Sequence, residues 1–163
     1  MKTLIMVRHG KSDWEYESVR DIDRSLKERG IRDGYKMAGK CADRGLNPEL
    51  IVSSTATRAA HTAIIFNRVL RMSGESLVFT EDLYLSDMDG ILSVIYGFDD
   101  SLDRIMIVGH NPGFTDLANY LSNLNIMNVP TSGMVVLQFD TGSWSRISRD
   151  NLGSAEFDFP RNS

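Results

Sequence analysis

The sequence contains little cysteine, no long apolar run and no dense run of basic residues. Cys41 is the only cysteine among 163 residues, which excludes an intramolecular disulfide and favours a cytoplasmic protein. No apolar stretch approaches the roughly 18 residues that a membrane span requires. The start of the chain goes straight into an apolar run without the pattern of a signal peptide. We therefore expect a cytoplasmic protein that has no membrane as a partner.

The balance of charge also excludes a class of partner. The chain carries 18 Lys and Arg against 22 Asp and Glu, a net charge of −4, so nucleic acid is not expected to bind it. With 42% hydrophobic residues, a chain of this length can bury one sizeable core but not two. We expect a single domain comprising residues 1–163.

Three short apolar runs mark the expected centre of the fold, at residues 4–7, 50–52 and 105–108. They are continuous rather than alternating, which is typical of strands covered on both faces in a parallel sheet. Apolar residues with helical spacing follow, beginning at Ile31, Ala59 and Phe114. This alternation predicts an α/β protein, a three-layer α/β/α sandwich with a mostly parallel central sheet.

The last part of the chain has a different pattern. Residues 134–139 and 144–147 are predicted strands, and Asp140-Thr141-Gly142 between them is a typical tight turn. We expect a C-terminal antiparallel hairpin that closes the sheet.

Cationic side chains follow all three apolar runs. Arg8 and His9 come directly after the first, Arg58 falls in the first helical turn after the second, and His110 follows the third. Because the carboxyl ends of parallel strands share one edge of a sheet, these four side chains are expected to converge near two helix N-termini. Guanidinium groups and helix N-termini favour phosphate. The sequence thus predicts an anion site suited to a phosphoryl group at Arg8, His9, Arg58 and His110.

Two histidines beside two arginines indicate chemistry as well as binding. Neighbouring guanidinium charges disfavour imidazolium, so we expect His9 to be neutral and nucleophilic near pH 7. A bound phosphate dianion would favour a protonated His110, which could hydrogen-bond the phosphoryl oxygens during transfer. We predict phosphoryl transfer to His9 and release to water, with Arg8, His9, Arg58 and His110 as the catalytic residues.

The motifs "VRHG", "SSTATRAAHTA" and "VGHNPG" together resemble the histidine phosphatase superfamily, which includes the cofactor-dependent phosphoglycerate mutases. The segments "RHGKSDW", "DIDRSLKERG", "GHNPG", "VPTSGMVVLQFD" and "FDFP" are similar to the compact SixA-type phosphohistidine phosphatases. The resemblance implies a phosphoglycerate-mutase-like fold, a phosphohistidine intermediate on His9, and a phosphate pocket built from Arg8, Arg58 and His110. It also implies that no metal ion or other cofactor takes part.

One expected residue is missing. Many superfamily members carry a catalytic glutamate in a Leu-x-Glu pattern, and Leu85 of Leu83-Tyr84-Leu85 stands at that position here. Three carboxylates could replace it, unless the alignment is displaced by a few residues: Glu81, Asp82 and Asp87. General acid catalysis contributes about 10²- to 10⁴-fold for a poor leaving group. Imidazole leaves more easily than an alkoxide, so the missing acid favours a phosphorus–nitrogen substrate.

Three functions are compatible with these patterns. The leading hypothesis is a metal-independent phosphatase acting on a phosphohistidine-bearing protein. The alternatives are a broad small-molecule phosphomonoesterase and a phosphate-binding module without turnover. Four further residues either belong to an ordinary exposed loop or line the substrate entrance: Trp14, Tyr16, Arg20 and Arg24.

Overall fold

The computed structural model describes residues 1–162, which contain a six-stranded sheet and four α-helices. The strands are β1 (Lys2–Arg8), β2 (Leu50–Ser54), β3 (Leu77–Thr80), β4 (Arg104–Gly109), β5 (Met134–Phe139) and β6 (Leu152–Asp158). The helices are α1 (Glu28–Asp43), α2 (Thr57–Val69), α3 (Met88–Tyr96) and α4 (Gly113–Leu121). None of the helices in this part of the chain is long and apolar enough to cross a lipid bilayer.

The sheet has the order β3-β2-β4-β1-β5-β6. Strands β1 to β4 are mutually parallel, β5 runs antiparallel to β1, and β6 runs antiparallel to β5. The three apolar runs form β1, β2 and β4 in the middle of the sheet, where both faces are covered. The predicted mostly parallel sheet with a C-terminal antiparallel pair is therefore confirmed.

The helices cover the two faces of the sheet, and successive residues of β1 point to opposite layers. Leu4 and Met6 pack in the core shared with α3 and α4. Ile5 and Val7 pack in the core shared with α1 and α2. This alternation explains why every position of the run is apolar, and it confirms the predicted three-layer arrangement.

The prediction of the second hairpin strand is wrong. Residues 144–147 do not pair with β5, because Trp144–Arg146 forms a 3₁₀ turn and β6 supplies the second strand instead. Trp144 is fully buried, donates its indole N–H to the carbonyl of Leu102 at 2.8 Å, and packs edge-on against Phe98 with ring centroids 5.7 Å apart. The apolar residues of this segment are thus explained by core packing, not by strand pairing.

The register of the sheet brings three strand ends together. Arg8 at the end of β1 lies opposite Gly109 at the end of β4, and Ser53 of β2 lies opposite Val108 of β4. The residues that follow these strands therefore emerge side by side at one edge. Helices α2 and α4 begin within a few residues of the same edge.

Candidate active site

A cavity of about 290 Å³ opens at this edge of the sheet. The four cationic residues predicted from the strand ends all line it. Its walls consist of Arg8, His9, Lys11, Ser12, Trp14, Asp21, Arg58, Leu85, His110, Asn111 and Thr131. Within residues 1–162, no group of three or more His, Cys, Asp or Glu side chains has an arrangement that could hold a metal ion.

The imidazole of His9 is held in one orientation by the backbone that follows it. Its Nδ1 lies 2.8 Å from the carbonyl oxygen of Gly10. A carbonyl only accepts hydrogen bonds, so Nδ1 carries the proton and Nε2 keeps its lone pair. The ring is buried apart from its contact with the cavity. The ring of His9 is therefore in the tautomer that a nucleophile needs, with a free lone pair on Nε2.

Contacts with α1 and α2 fix the loop that carries His9. The N–H of Gly10 donates to Oγ1 of Thr62 in α2 at 3.0 Å. A Cβ atom added at Gly10 would lie 2.9 Å from the carbonyl oxygen of Gly30 in α1. Glycine at position 10 thus allows a helix backbone to approach directly behind the histidine.

Arg58 in the first turn of α2 connects two parts of the cavity. Its Nη1 donates to the carbonyl of Asp21 at 2.7 Å, and its Nη2 donates to Oδ2 of the same residue at 3.0 Å. Nη2 is also 3.5 Å from Nδ1 of His110. The hydroxyl of Tyr84 donates to the same Oδ2 at 2.5 Å. The guanidinium group is therefore fixed between the carboxylate of Asp21 and the ring of His110.

His110 lies next to His9, with ring centroids 5.1 Å apart. Its Nε2 is 2.8 Å from Oγ of Ser54 at the end of β2. Because the guanidinium of Arg58 can only donate, the contact at Nδ1 favours a proton on Nε2 and a bond donated to Ser54. The two imidazoles and the two guanidinium groups consequently share one small, largely buried volume.

Arg8 has donor capacity that the protein does not use. One guanidinium N–H donates to the carbonyl of Val129 at 2.9 Å. Its buried Nε has no hydrogen-bond partner in the described part of the chain. Burial and the nearby charge of Arg58 lower the pKa of Arg8. An anion in the cavity would offset the repulsion between the two arginines.

The surroundings keep both imidazoles neutral. Burial lowers the pKa of His9 to about 4, reinforced by the charges of Arg58 and Arg8 and opposed by the bond to Gly10. Burial, with the neighbouring His9 and Arg58, lowers the pKa of His110 to about 3. The arginines contribute to the predicted neutrality of His9, but burial is the larger cause.

A pH titration followed by NMR should detect these shifts. A pKa below the usual value for histidine means that the neutral ring persists to lower pH, so a nucleophilic His9 is present above about pH 4 and is lost below it. We expect the ring signals of His9 and His110 to stay those of neutral imidazole down to about pH 5. Adding inorganic phosphate should raise the pKa of His110. Titration of both rings near 6.5, as in an exposed histidine, would contradict this prediction.

None of the three carboxylates proposed to replace the missing acid lines the cavity. Asp87 caps α3 by accepting the N–H of Gly90 at 2.9 Å. Glu81 and Asp82 are exposed and border a different cavity. Leu85 itself lines the cavity that contains His9. These positions give no support to Glu81, Asp82 or Asp87 as the proton donor.

Sequence reasoning missed Asp21, which is the only carboxylate that lines the cavity among residues 1–162. Asp21 does not follow a strand, and only its contacts with Arg58 and Tyr84 bring it to the site. The one available signal was its presence in the segment "DIDRSLKERG".

The loop between β1 and α1 is divided between the two roles left open for it. Its two sides are joined by the backbone bonds Asp13 N–H to Ser25 and Lys27 N–H to Lys11, both 2.8 Å long. Trp14 lines the cavity, and the guanidinium of Arg24 lies 4.0 Å from the centre of its ring. Trp14 thus belongs to the cavity entrance, whereas Tyr16 and Arg20 are exposed and do not line the cavity.

Comparison with protein families gives a match to a model described as the histidine phosphatase superfamily (branch 1), over residues 4–88. An uncharacterised chloroplastic protein of Arabidopsis thaliana is 32% identical over 151 residues, which cover 88% of this chain and 69% of that protein. An uncharacterised protein of Mycobacterium leprae is 30% identical over 169 aligned residues, which cover 95% of this chain and all of that protein.

Solved structures share the fold. A crystal structure of a candidate phosphohistidine phosphatase SixA from Agrobacterium tumefaciens is 30% identical, with a TM-score of 0.76, covering 85% of this chain and 92% of that one. The protein histidine phosphatase SixA complexed with tungstate has a TM-score of 0.80 at 16% identity, covering 98% of both chains. The second likeness extends to the fold alone. The predicted phosphoglycerate-mutase-like, SixA-like fold is confirmed.

Proposed function

The chain belongs to the histidine phosphatase superfamily, and from this membership we propose that it is a metal-independent phosphatase that works through a phosphohistidine intermediate on His9. We propose further that its substrate is a phosphohistidine-bearing protein. Residues 1–163 would act as one catalytic domain. A cytoplasmic location stays a prediction from the cysteine content.

The observation that supports this proposal is the hydrogen bond from Nδ1 of His9 to the carbonyl of Gly10. It leaves a lone pair on Nε2 in a cavity that also contains Arg8, Arg58 and His110. In the first step, Nε2 forms a bond to phosphorus while the bond to the leaving group breaks. The arginines and a protonated His110 would stabilise the three phosphoryl oxygens, whose charge is what the transition state must accommodate.

The same hydrogen bond assists the second step. Water attacks phosphorus on phospho-His9, and the phosphorus–nitrogen bond breaks with its electron pair returning to Nε2. His9 leaves as neutral imidazole because Nδ1 has kept its proton throughout. The resting tautomer is regenerated without any proton transfer to the ring.

The walls of the cavity favour phosphohistidine over an alkyl phosphate. An alkoxide leaving group needs a proton donor, and the cavity is lined by the apolar side chain of Leu85, where the resemblance implies a glutamate. The ring of phosphohistidine can instead be protonated at its second nitrogen, and it then leaves as neutral imidazole. The neighbour from Agrobacterium tumefaciens, itself described as a candidate phosphohistidine phosphatase, supports the same substrate.

A substrate panel with EDTA present tests the proposal. We expect the highest kcat/KM for a phosphohistidine peptide, a lower value for a phosphotyrosine peptide, the lowest value for a sugar phosphate, and no effect of the chelator. Activity that requires a divalent cation would contradict the mechanism. Equal or better turnover of the sugar phosphate would favour the small-molecule phosphomonoesterase. Phosphate binding without turnover of any compound would favour the binding module.

A further inference from the structure

A carboxylate is unexpected in the lining of a cavity that is proposed to bind a phosphate dianion. Asp21 is 37% exposed and lines the cavity beside Arg58. Burial alone would raise the pKa of Asp21, but the hydrogen bonds from Tyr84 and Arg58 hold it below its usual value. The side chain is therefore charged at neutral pH, and its charge disfavours an anionic leaving group beside it.

The two oxygens of Asp21 are used differently. Oδ2 accepts bonds from Arg58 at 3.0 Å and from Tyr84 at 2.5 Å. Oδ1 accepts no hydrogen bond from any of the described residues 1–162. The carboxylate is thus fixed through one oxygen while the other stays available to a ligand.

We propose that Oδ1 of Asp21 accepts a hydrogen bond from the second ring nitrogen of a phosphoimidazole leaving group. This inference rests on the proposed function, which supplies phosphohistidine as the substrate. It makes Asp21 the residue that distinguishes a phosphorus–nitrogen substrate from a phosphate ester.

The chemistry balances without a proton donor. A phosphoimidazole that is protonated at its second nitrogen carries a positive ring, and the carboxylate stabilises that form. As Nε2 of His9 bonds to phosphorus, the phosphorus–nitrogen bond of the substrate breaks and its electron pair returns to the leaving ring. The ring departs as neutral imidazole and keeps the N–H that Asp21 holds. The positive charge now lies on the ring of phospho-His9.

The position of Arg58 supports this assignment. Nη2 of Arg58 contacts both Nδ1 of His110, at 3.5 Å, and Oδ2 of Asp21, at 3.0 Å. A phosphoryl group held by Arg58 therefore has Asp21 as a neighbour. An alkoxide departing there would be repelled by the carboxylate, whereas the cationic ring of a protonated phosphoimidazole is attracted to it and then departs as neutral imidazole.

The variant Asp21→Asn tests the inference because it removes the charge and keeps the shape of the side chain. The measurement is the ratio of kcat/KM for a phosphohistidine peptide to kcat/KM for 4-nitrophenyl phosphate, whose leaving group has no N–H and needs no proton. We expect both values to fall, since Asp21 also positions Arg58. The ratio should fall by about 10- to 100-fold, the usual range for a hydrogen bond to a charged group.

Asp23→Asn is the matched control, because Asp23 is exposed in the same 3₁₀ turn, Asp21–Asp23, and does not line the cavity. We expect it to leave the ratio unchanged. An unchanged ratio in Asp21→Asn, whether both activities fall together or neither falls, would overturn the inference. A wild-type protein that hydrolyses 4-nitrophenyl phosphate but not the phosphohistidine peptide would instead overturn the proposed substrate. The two failures are thus distinguishable.

Discussion

Replacing His9 with alanine is expected to lower kcat by about 10⁴-fold or more, because it removes the proposed nucleophile of the reaction. The wild-type protein, mixed with a labelled phosphohistidine peptide and quenched within milliseconds, should contain a covalently bound phosphoryl group. That group should be labile in acid and stable in alkali, as expected of phosphohistidine. His9→Ala should contain none, while its affinity for inorganic phosphate should stay within about 10-fold because Arg8, Arg58 and His110 remain.

The histidine at position 61 provides a matched control for this experiment. His61 is half-buried in α2 and does not line the cavity. We expect His61→Ala to retain the phosphoenzyme and most of the activity. A phosphoenzyme that survives in His9→Ala would place the nucleophile elsewhere. The absence of any phosphoenzyme in the wild-type protein, together with tight phosphate binding, would favour a binding module.

Replacing Arg58 with alanine should produce the second large loss. Arg58 is buried, and it makes charge-assisted bonds that a phosphoryl group would share or replace. Two such bonds correspond to about 10²- to 10⁴-fold in kcat/KM. Arg58→Lys should recover only part of this loss, because an ammonium group cannot contact Asp21 and the phosphoryl oxygens with the spacing of a guanidinium fork. Steady-state kinetics with 4-nitrophenyl phosphate would measure both variants.

Arg68 serves as the control on the same helix. It is exposed near the end of α2 and donates to the hydroxyl of Tyr35 at 2.7 Å. Its replacement with alanine should change kcat/KM by no more than about 2-fold, as is usual for a surface substitution. Equal losses in Arg58→Ala and Arg68→Ala would mean that the effect comes from the helix and not from the cavity.

The sequence predicts the central sheet and the four cationic residues for one physical reason. Strands buried on both faces must be apolar throughout, and the first polar residue after each strand marks the edge where ligands bind. Arg8 is the last residue of β1, His9 and His110 directly follow β1 and β4, and Arg58 lies in the first turn of α2, the helix after β2. Their proximity depends only on strand order and direction.

The remaining features depend on contacts that no local pattern records. Asp21 reaches the cavity through bonds to Arg58 and Tyr84, which are 37 and 63 positions away in the chain. Trp144 belongs to the core and not to a strand because of its contacts with Phe98 and Leu102. The edge strand β3 contains an apolar run of its own, Leu77-Val78-Phe79, but Val78 and Phe79 are exposed, so the rule for strands buried on both faces does not apply to it.

The carbonyl of Gly10 has a consequence for the direction of the reaction. It keeps a proton on Nδ1 of His9, so the phosphorylated enzyme carries a cationic ring of the same kind as the proposed substrate. The phosphorus–nitrogen bond that forms and the one that breaks are then nearly equivalent. The free-energy change of the first transfer is therefore small, and this step is readily reversible. Only the capture of phospho-His9 by water is downhill. We therefore expect reversible phosphoryl exchange between the substrate histidine and His9. The net rate of hydrolysis is then set by how easily water enters the cavity.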